Sequence, residues 1–186
     1  DDIIFAYTGP TGSGVTNPVF PLVNANNANY VTGIQVQNTG DQATEVTVDY
    51  TPSAAGTACS ETQTVAAGAS NTFALAAFSG NPGSDITTDC ANGVRFVGSA
   101  EVTSNSTSQP LQGLVNQLNL SVPNGEAYGS FSSDDATNTV VMPLIMDRNS
   151  NYFTGINVMN VGSSSTTVDC TFTDTSYSIS QSLASG

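Results

Sequence analysis

Three cysteines, 15 acids, two arginines and no histidine bound the chemistry open to these 186 residues. Without histidine there is no Ser-His-Asp triad, no Cys-His dyad and no imidazole metal ligand. Haem attachment through Cys-x-x-Cys-His is closed for the same reason. No glycine-rich loop runs into Lys-Ser/Thr, so the phosphate cradle of nucleotide hydrolysis is missing as well. Two carboxylate pairs remain, Asp85/Asp89 and Asp134/Asp135, and such pairs can hydrolyse glycosides. Both stand in Gly/Ser/Asn-rich stretches, where solvated acids are the ordinary outcome. The residues point away from an enzyme.

Cys59 and Cys90 each sit in a loop just before a strand, and the composition is that of an extracellular chain, so a disulfide between them is expected. Cys170 lies at an inward strand position between Val168 and Phe172 and reads as a small buried hydrophobe. Asp147, Asn149 and Asn151 occupy the first three ligand positions of a calcium loop. Tyr152 stands where that loop requires Gly, and no Glu follows at its twelfth position, so a tight turn is the preferred reading. Asp134 and Asp135 form the other calcium candidate. No cofactor is required by these residues, and calcium is the only one they admit.

The cations are Arg95 and Arg148 alone, giving a net charge of −13. Such a surface cannot neutralise phosphates, which excludes nucleic acid and anionic membrane surfaces as partners. No apolar run approaches the roughly 20 residues of a membrane-spanning helix, so membrane insertion is not expected. The absence of lysine closes the Lys–Asn isopeptide and lysine-joined routes to a covalent fibre. The chain opens at Asp1 with no basic or apolar leader, as after removal of a signal peptide or within a longer protein. A secreted, cell-surface location is expected. Asn105-Ser106-Thr107 and Asn119-Leu120-Ser121 fit the glycosylation sequon, which chance also supplies in so Ser/Thr/Asn-rich a chain.

The elements carrying these residues read as strands. Nowhere do apolar residues recur at three-and-four spacing, while β-branched residues alternate in short runs. Strands are predicted over 20–23, 31–38, 45–50, 62–66, 71–78, 94–103 and 111–120, separated by Gly/Asn/Pro turns. About seven short strands in roughly 100 residues predict an all-β fold, an immunoglobulin-like antiparallel β-sandwich, with a jelly roll as runner-up. The expected core comprises Leu22, Ile34, Val36, Val46, Val48, Phe73, Leu75, Phe96, Val115 and Leu118.

A repeat organises the chain. Pro21-Leu22, Asn27, Asn29-Tyr30, Thr32-Gly33-Ile34, Val36, Asn38 and Gly40 recur 122 positions later as Pro143-Leu144, Asn149, Asn151-Tyr152, Thr154-Gly155-Ile156, Val158, Asn160 and Gly162. The predicted organisation is an N-terminal strand and linker over 1–16, a complete sandwich over 17–122, a linker over 123–138, and the first half of a second repeat over 139–186. That incomplete copy would leave Leu144, Ile156 and Val158 without a covering layer. Ile3, Ile4, Phe5 and Tyr7 form a short apolar run ahead of the first copy, a candidate donor strand. Ala127-Tyr128-Gly129 holds the corresponding place ahead of the second.

The stretch Thr32-Gly33-Ile34-Gln35-Val36-Gln37-Asn38-Thr39-Gly40, followed by Thr44-Glu45-Val46-Thr47-Val48, resembles the strand, Asn-x-Gly turn, strand core of bacterial cell-surface adhesion repeats. Those include the CARDB-type domains and the long repetitive secreted proteins of filamentous bacteria. The resemblance covers about thirty residues in each copy. It implies immunoglobulin-like sandwiches in tandem outside the cell and no catalytic residue. The expected function is a structural subunit of an extracellular filament, sheath or cell-surface fibre, its partners being copies of itself. The alternative is an adhesive or carbohydrate-binding module of a larger surface protein, with surface glycans as partner; the absence of Trp argues against an aromatic sugar platform.

Overall fold

The computed structural model describes residues 14–79, 85–173 and 175–185. Two compact units emerge, Asp1–Ser133 and Asp134–Gly186. The first holds β1 (Pro18–Ala25), β2 (Tyr30–Asn38), β3 (Thr44–Ala55), β4 (Cys59–Val65), β5 (Ser70–Phe73), the short helix α1 (Leu75–Ser79), β6 (Thr87–Thr88), β7 (Phe96–Ser104), β8 (Leu111–Asn119), β9 (Gly125–Gly129) and β10 (Phe131–Ser132). They make two antiparallel sheets, ordered β10-β1-β7-β3-β4-β6 and β5-β2-β8-β9. The fold is an all-β sandwich.

Strand alternation sends one face of each sheet inward. Ile34 and Val36 of β2, Val46 and Val48 of β3, Phe73 of β5, Phe96 of β7 and Val115 of β8 are all fully or almost fully buried, as their period-2 spacing predicts. Phe20, Val23, Tyr50, Val102 and Leu111 complete the cluster between the sheets. The fit is close: a Cβ added at Gly113 would lie 2.4 Å from the Phe20 ring.

Three expected core residues are not in the core, each for a local reason. Pro21 has no N–H to give the ladder, and the β1–β7 register shifts between Phe20 and Val23. That bulge moves the inward position from Leu22, which is half-buried, to Val23. Leu118 cannot share a face with Val115, because three residues along a strand reverse the side; Gln117 points inward instead. Leu75 is exposed because the predicted strand 71–78 ends at Phe73. Ala74 takes a left-handed φ of 68°, and α1 then buries Ala77 and Phe78.

The boundary at Ser133/Asp134 also corrects the linker expected over 123–138. Residues of β9 pair with β8 and those of β10 with β1, so 125–132 belong to the first sandwich.

In the second unit, β11 (Thr166–Thr171) and β12 (Ser178–Leu183) form a hairpin, and a 3₁₀ turn spans Ser133–Asp135 at its start. The hairpin keeps the pairing of β3 with β4. Thr166 faces Leu183, Val168 faces Gln181 and Cys170 faces Ile179, as Thr44 faces Val65, Val46 faces Gln63 and Val48 faces Glu61. Other local features recur too. Asn26, Ala28 and Asn29 have φ of 50°, 48° and 66°; Arg148, Ser150 and Asn151 have 53°, 51° and 65°. Asn38 Nδ2 donates to the Gln42 carbonyl at 2.7 Å and its Oδ1 accepts from Gly40 N at 2.9 Å. Asn160 does the same with Ser164, at 2.8 Å, and Gly162, at 3.0 Å.

Residues 139–161 form no strand, and the topology of the first unit explains why. There β1 pairs with β7 and β10, and β2 with β5 and β8. Residues 134–186 contain no counterparts of β5, β7 or β8. Only the β3–β4 pair has both members present, and among the described residues only that strand pair forms. The apolar face is consequently open: Val141 is 83% exposed where its counterpart Val19 is 4%, and Val158 is 45% exposed where Val36 is 0%.

Candidate functional site

Cys59 opens β4 and Cys90 follows β6, the two-residue strand beside it, and their sulfurs are bonded. The disulfide packs against the edge of the core, with Cys59 opposite Tyr50 in the ladder and beside Phe78 and Phe96 at one small hollow. The Phe78 and Phe96 rings stack at 4.9 Å, and Tyr50 meets Phe78 edge-on at 5.0 Å. Cys170 is unbridged but only half-buried, not buried as expected. Its counterpart Val48 is fully covered by the opposite sheet, a layer that residues 134–186 do not contain.

Beneath the disulfide lies a carboxylate that parity alone would have placed inward. Glu61, Gln63 and Val65 share the inner face of β4. Glu61 is fully buried: its Oε2 accepts from the Tyr50 hydroxyl at 2.9 Å and Ala74 N at 2.7 Å, and its Oε1 from Gln63 Nε2 at 2.9 Å. The carboxylate thus fixes the backbone N–H of Ala74, the residue immediately ahead of α1. Burial raises its pKa above the ordinary value, more strongly than the three donors lower it. A raised folded pKa makes the contribution of Glu61 most favourable at acid pH and progressively worse as pH rises through that pKa. In thermal melts from pH 4.5 to 7.5, Glu61→Gln is therefore expected to lose stability relative to wild type at the acid end. The deficit should shrink toward neutrality; a deficit that grows with pH would reverse the assignment.

A second polar network, buried at Asn24 and Gln117 and exposed at its ends, ties the sheets together. Arg95 Nε donates to Asn27 Oδ1 at 2.8 Å, Asn27 Nδ2 to Asn24 Oδ1 at 2.8 Å, Asn24 Nδ2 to Gln117 Oε1 at 2.6 Å, and Gln117 Nε2 to Glu126 Oε1 at 2.7 Å. Every amide is oriented the same way, from a guanidinium to a carboxylate, so the links reinforce one another. Its place is between β1 and β8, and its effect is to hold β9 to the sandwich.

The calcium candidates are not gathered into a cage. Asp147 pairs with neighbouring Arg148 at 3.1 Å, both exposed. The Asn149 carbonyl accepts from Tyr152 N at 2.9 Å, closing the turn that Asn27 and Tyr30 close in the first copy. Asp134 and Asp135 sit on the exposed 3₁₀ turn. Among the described residues the only grouping of three acidic or sulfur ligands is Cys59, Asp89 and Cys90, whose sulfurs are joined to each other. The best-formed hollow, lined by Gly56, Cys59, Phe78 and Val94, holds about 10 Å³, room for one water.

Of the assembly residues, Ile3, Ile4, Phe5 and Tyr7 lie outside the described residues. Leu144 and Val158 are exposed and Ile156 is half-buried, all on the open second unit. Besides Glu61 and the polar chain, sequence reasoning gave no role to Tyr128 of β9. Its ring lies 6.4 Å from Phe20, and its hydroxyl accepts from Leu22 N at 3.2 Å and donates to the Leu22 carbonyl. These are backbone groups at the β1 bulge. Burial pushes the Tyr128 hydroxyl well above its ordinary pKa, so it stays a donor.

No family, curated protein or solved structure matches this chain. Among the described residues no helix is long and apolar enough to cross a membrane.

Proposed function

We propose that the protein is a structural subunit of an extracellular filament, sheath or surface fibre, assembling head to tail through β-strand pairing. The observation that carries this reading is the open second unit. Val140, Val141, Leu144, Phe153 and Val158 are each exposed, within a stretch whose first-copy counterparts largely build a sandwich. So many exposed apolar side chains in one short stretch favour an interaction surface. The disulfide fits an oxidising compartment, and the sparse cationic charge leaves burial and strand pairing as the means of association. The absence of histidine and the water-sized hollow support a role other than catalysis.

Negative-stain microscopy tests the reading. The purified chain should form regular filaments, and deletion of Asp1–Thr8 should abolish them while the first sandwich stays folded. Discrete particles from the intact chain, or unchanged filaments after the deletion, would count against it.

A further inference from the structure

Asn-Gly occurs twice in the sequence, at Asn92-Gly93 and at Asn124-Gly125. In such a pair the glycine nitrogen can attack the asparagine side-chain carbonyl carbon, because no Cβ on the following residue obstructs the approach. The nitrogen must lose its proton to react, so a hydrogen bond donated by that N–H holds the reaction back. Both asparagines are exposed, and access to solvent does not tell them apart. The two glycine nitrogens do.

Gly93 N is committed: it donates to the Phe78 carbonyl of α1 at 2.9 Å. Gly125 N is placed differently by the ladder. Asn119 N donates to the Asn124 carbonyl at 2.9 Å, and Ser130 N to the Gly113 carbonyl at 2.8 Å. These pairs continue the β8–β9 register by one step at either end, and both are of the hydrogen-bonded kind. Opposed pairs in an antiparallel ladder alternate between bonded and non-bonded. Leu118↔Gly125, one step inward, is therefore non-bonded, and the Gly125 N–H points away from β8. On that side β9 is the end strand of its sheet.

We propose that Asn124 is a self-modifying site of the fold, converting to aspartate and isoaspartate without an enzyme while Asn92 is held back. Gly125 N bonds to Asn124 Cγ, the Cγ–Nδ2 bond breaks, and ammonia leaves with the proton of the Gly125 N–H. Water then opens the cyclic imide at either carbonyl, and no oxidant or reductant takes part. The bond to Phe78 must open before Gly93 can react, which slows Asn92 about fivefold or more at the ordinary worth of a hydrogen bond. Conversion acts on β9. Isoaspartate adds a methylene to the backbone at the Asn119–Asn124 bond, and either product adds a negative charge two residues from Glu126, the acceptor of Gln117 Nε2. Both loosen the strand that carries Tyr128.

The folded full chain, kept dilute in mildly alkaline buffer and sampled over days, tests the site by peptide mass spectrometry with fragmentation that separates aspartate from isoaspartate. Asn124 should convert about fivefold or more faster than Asn92. In concentrated urea, where neither nitrogen is held, the two rates should converge. Converted chain, separated by ion exchange, should show faster amide hydrogen exchange at Glu126 and Tyr128 than unconverted chain. No conversion at Asn124, equal or faster conversion of Asn92 in the folded chain, a preference for Asn124 that persists in urea, or unchanged exchange in β9 would each overturn the proposal.

Discussion

Val36→Asp is expected to prevent the first sandwich from folding. Val36 lies at the middle of β2, fully buried, with β5 on one side through Asn71 and β8 on the other through Gly113. Its side chain faces the apolar cluster between the sheets, where no cation is available: Arg95 is committed to Asn27. A carboxylate there is either ionised without a partner or forced to protonate, at a cost of several kcal/mol against a total stability of about 5–15 kcal/mol for a domain of this kind. Loss of near-ultraviolet circular dichroism and rapid proteolysis should report it. Gln35→Asp, one residue away on the partly exposed outer face, should stay folded. If both variants fold alike, the strand phase assigned to β2 is wrong.

Replacing Cys59 and Cys90 by alanine should cost about 3–4 kcal/mol in the chain-entropy account of a loop this long. The bond joins positions 31 apart in sequence and encloses β5, α1 and β6. Of these, β6 has only two residues and holds the sheet edge by Glu61↔Thr88 and Thr62↔Thr87. The disulfide, beside the hydrogen bonds of Thr88 and Asp89 to Ser60, restrains that edge, and its removal should free β6 before the core opens. Urea unfolding of the variant, and of wild type under reducing conditions, should shift by the same amount. A shift below about 1 kcal/mol would mean that the pairing of β4 with β3 already fixes this region.

The parts of the fold that were legible in the sequence are those set by local alternation. Ile34/Val36 and Val46/Val48 announce their inner faces because one buried sheet face imposes a period of two. The same rule read more strictly would have found Glu61 and Gln63 inward on β4 and refused Leu118 alongside Val115. What alternation cannot show is where it breaks. The bulge at Pro21-Leu22 exchanged Leu22 for Val23, and the left-handed Ala74 turned a predicted strand into α1. β9 and β10 were hidden in an apparent linker because both are short edge strands: β9 begins and ends on glycine, and β10 pairs with β1, far away in sequence. The Tyr128 contact with Leu22 spans 106 positions. The Cys59–Cys90 pairing was legible from composition and placement. The polar chain from Arg95 to Glu126 was not, since its links join elements up to 93 residues apart.

The exposed apolar residues of the second unit are expected to drive association between copies. Sedimentation velocity of the full chain over a range of concentrations, beside a Leu144→Asp/Val158→Asp variant, tests it most directly. Wild type should sediment as a growing series of assemblies. The variant, carrying two charges on exposed positions of that unit, should remain a monomer with the unfolding midpoint of the first sandwich unchanged. A wild-type chain that stays monomeric at every concentration, or a variant that assembles like wild type, would contradict the account.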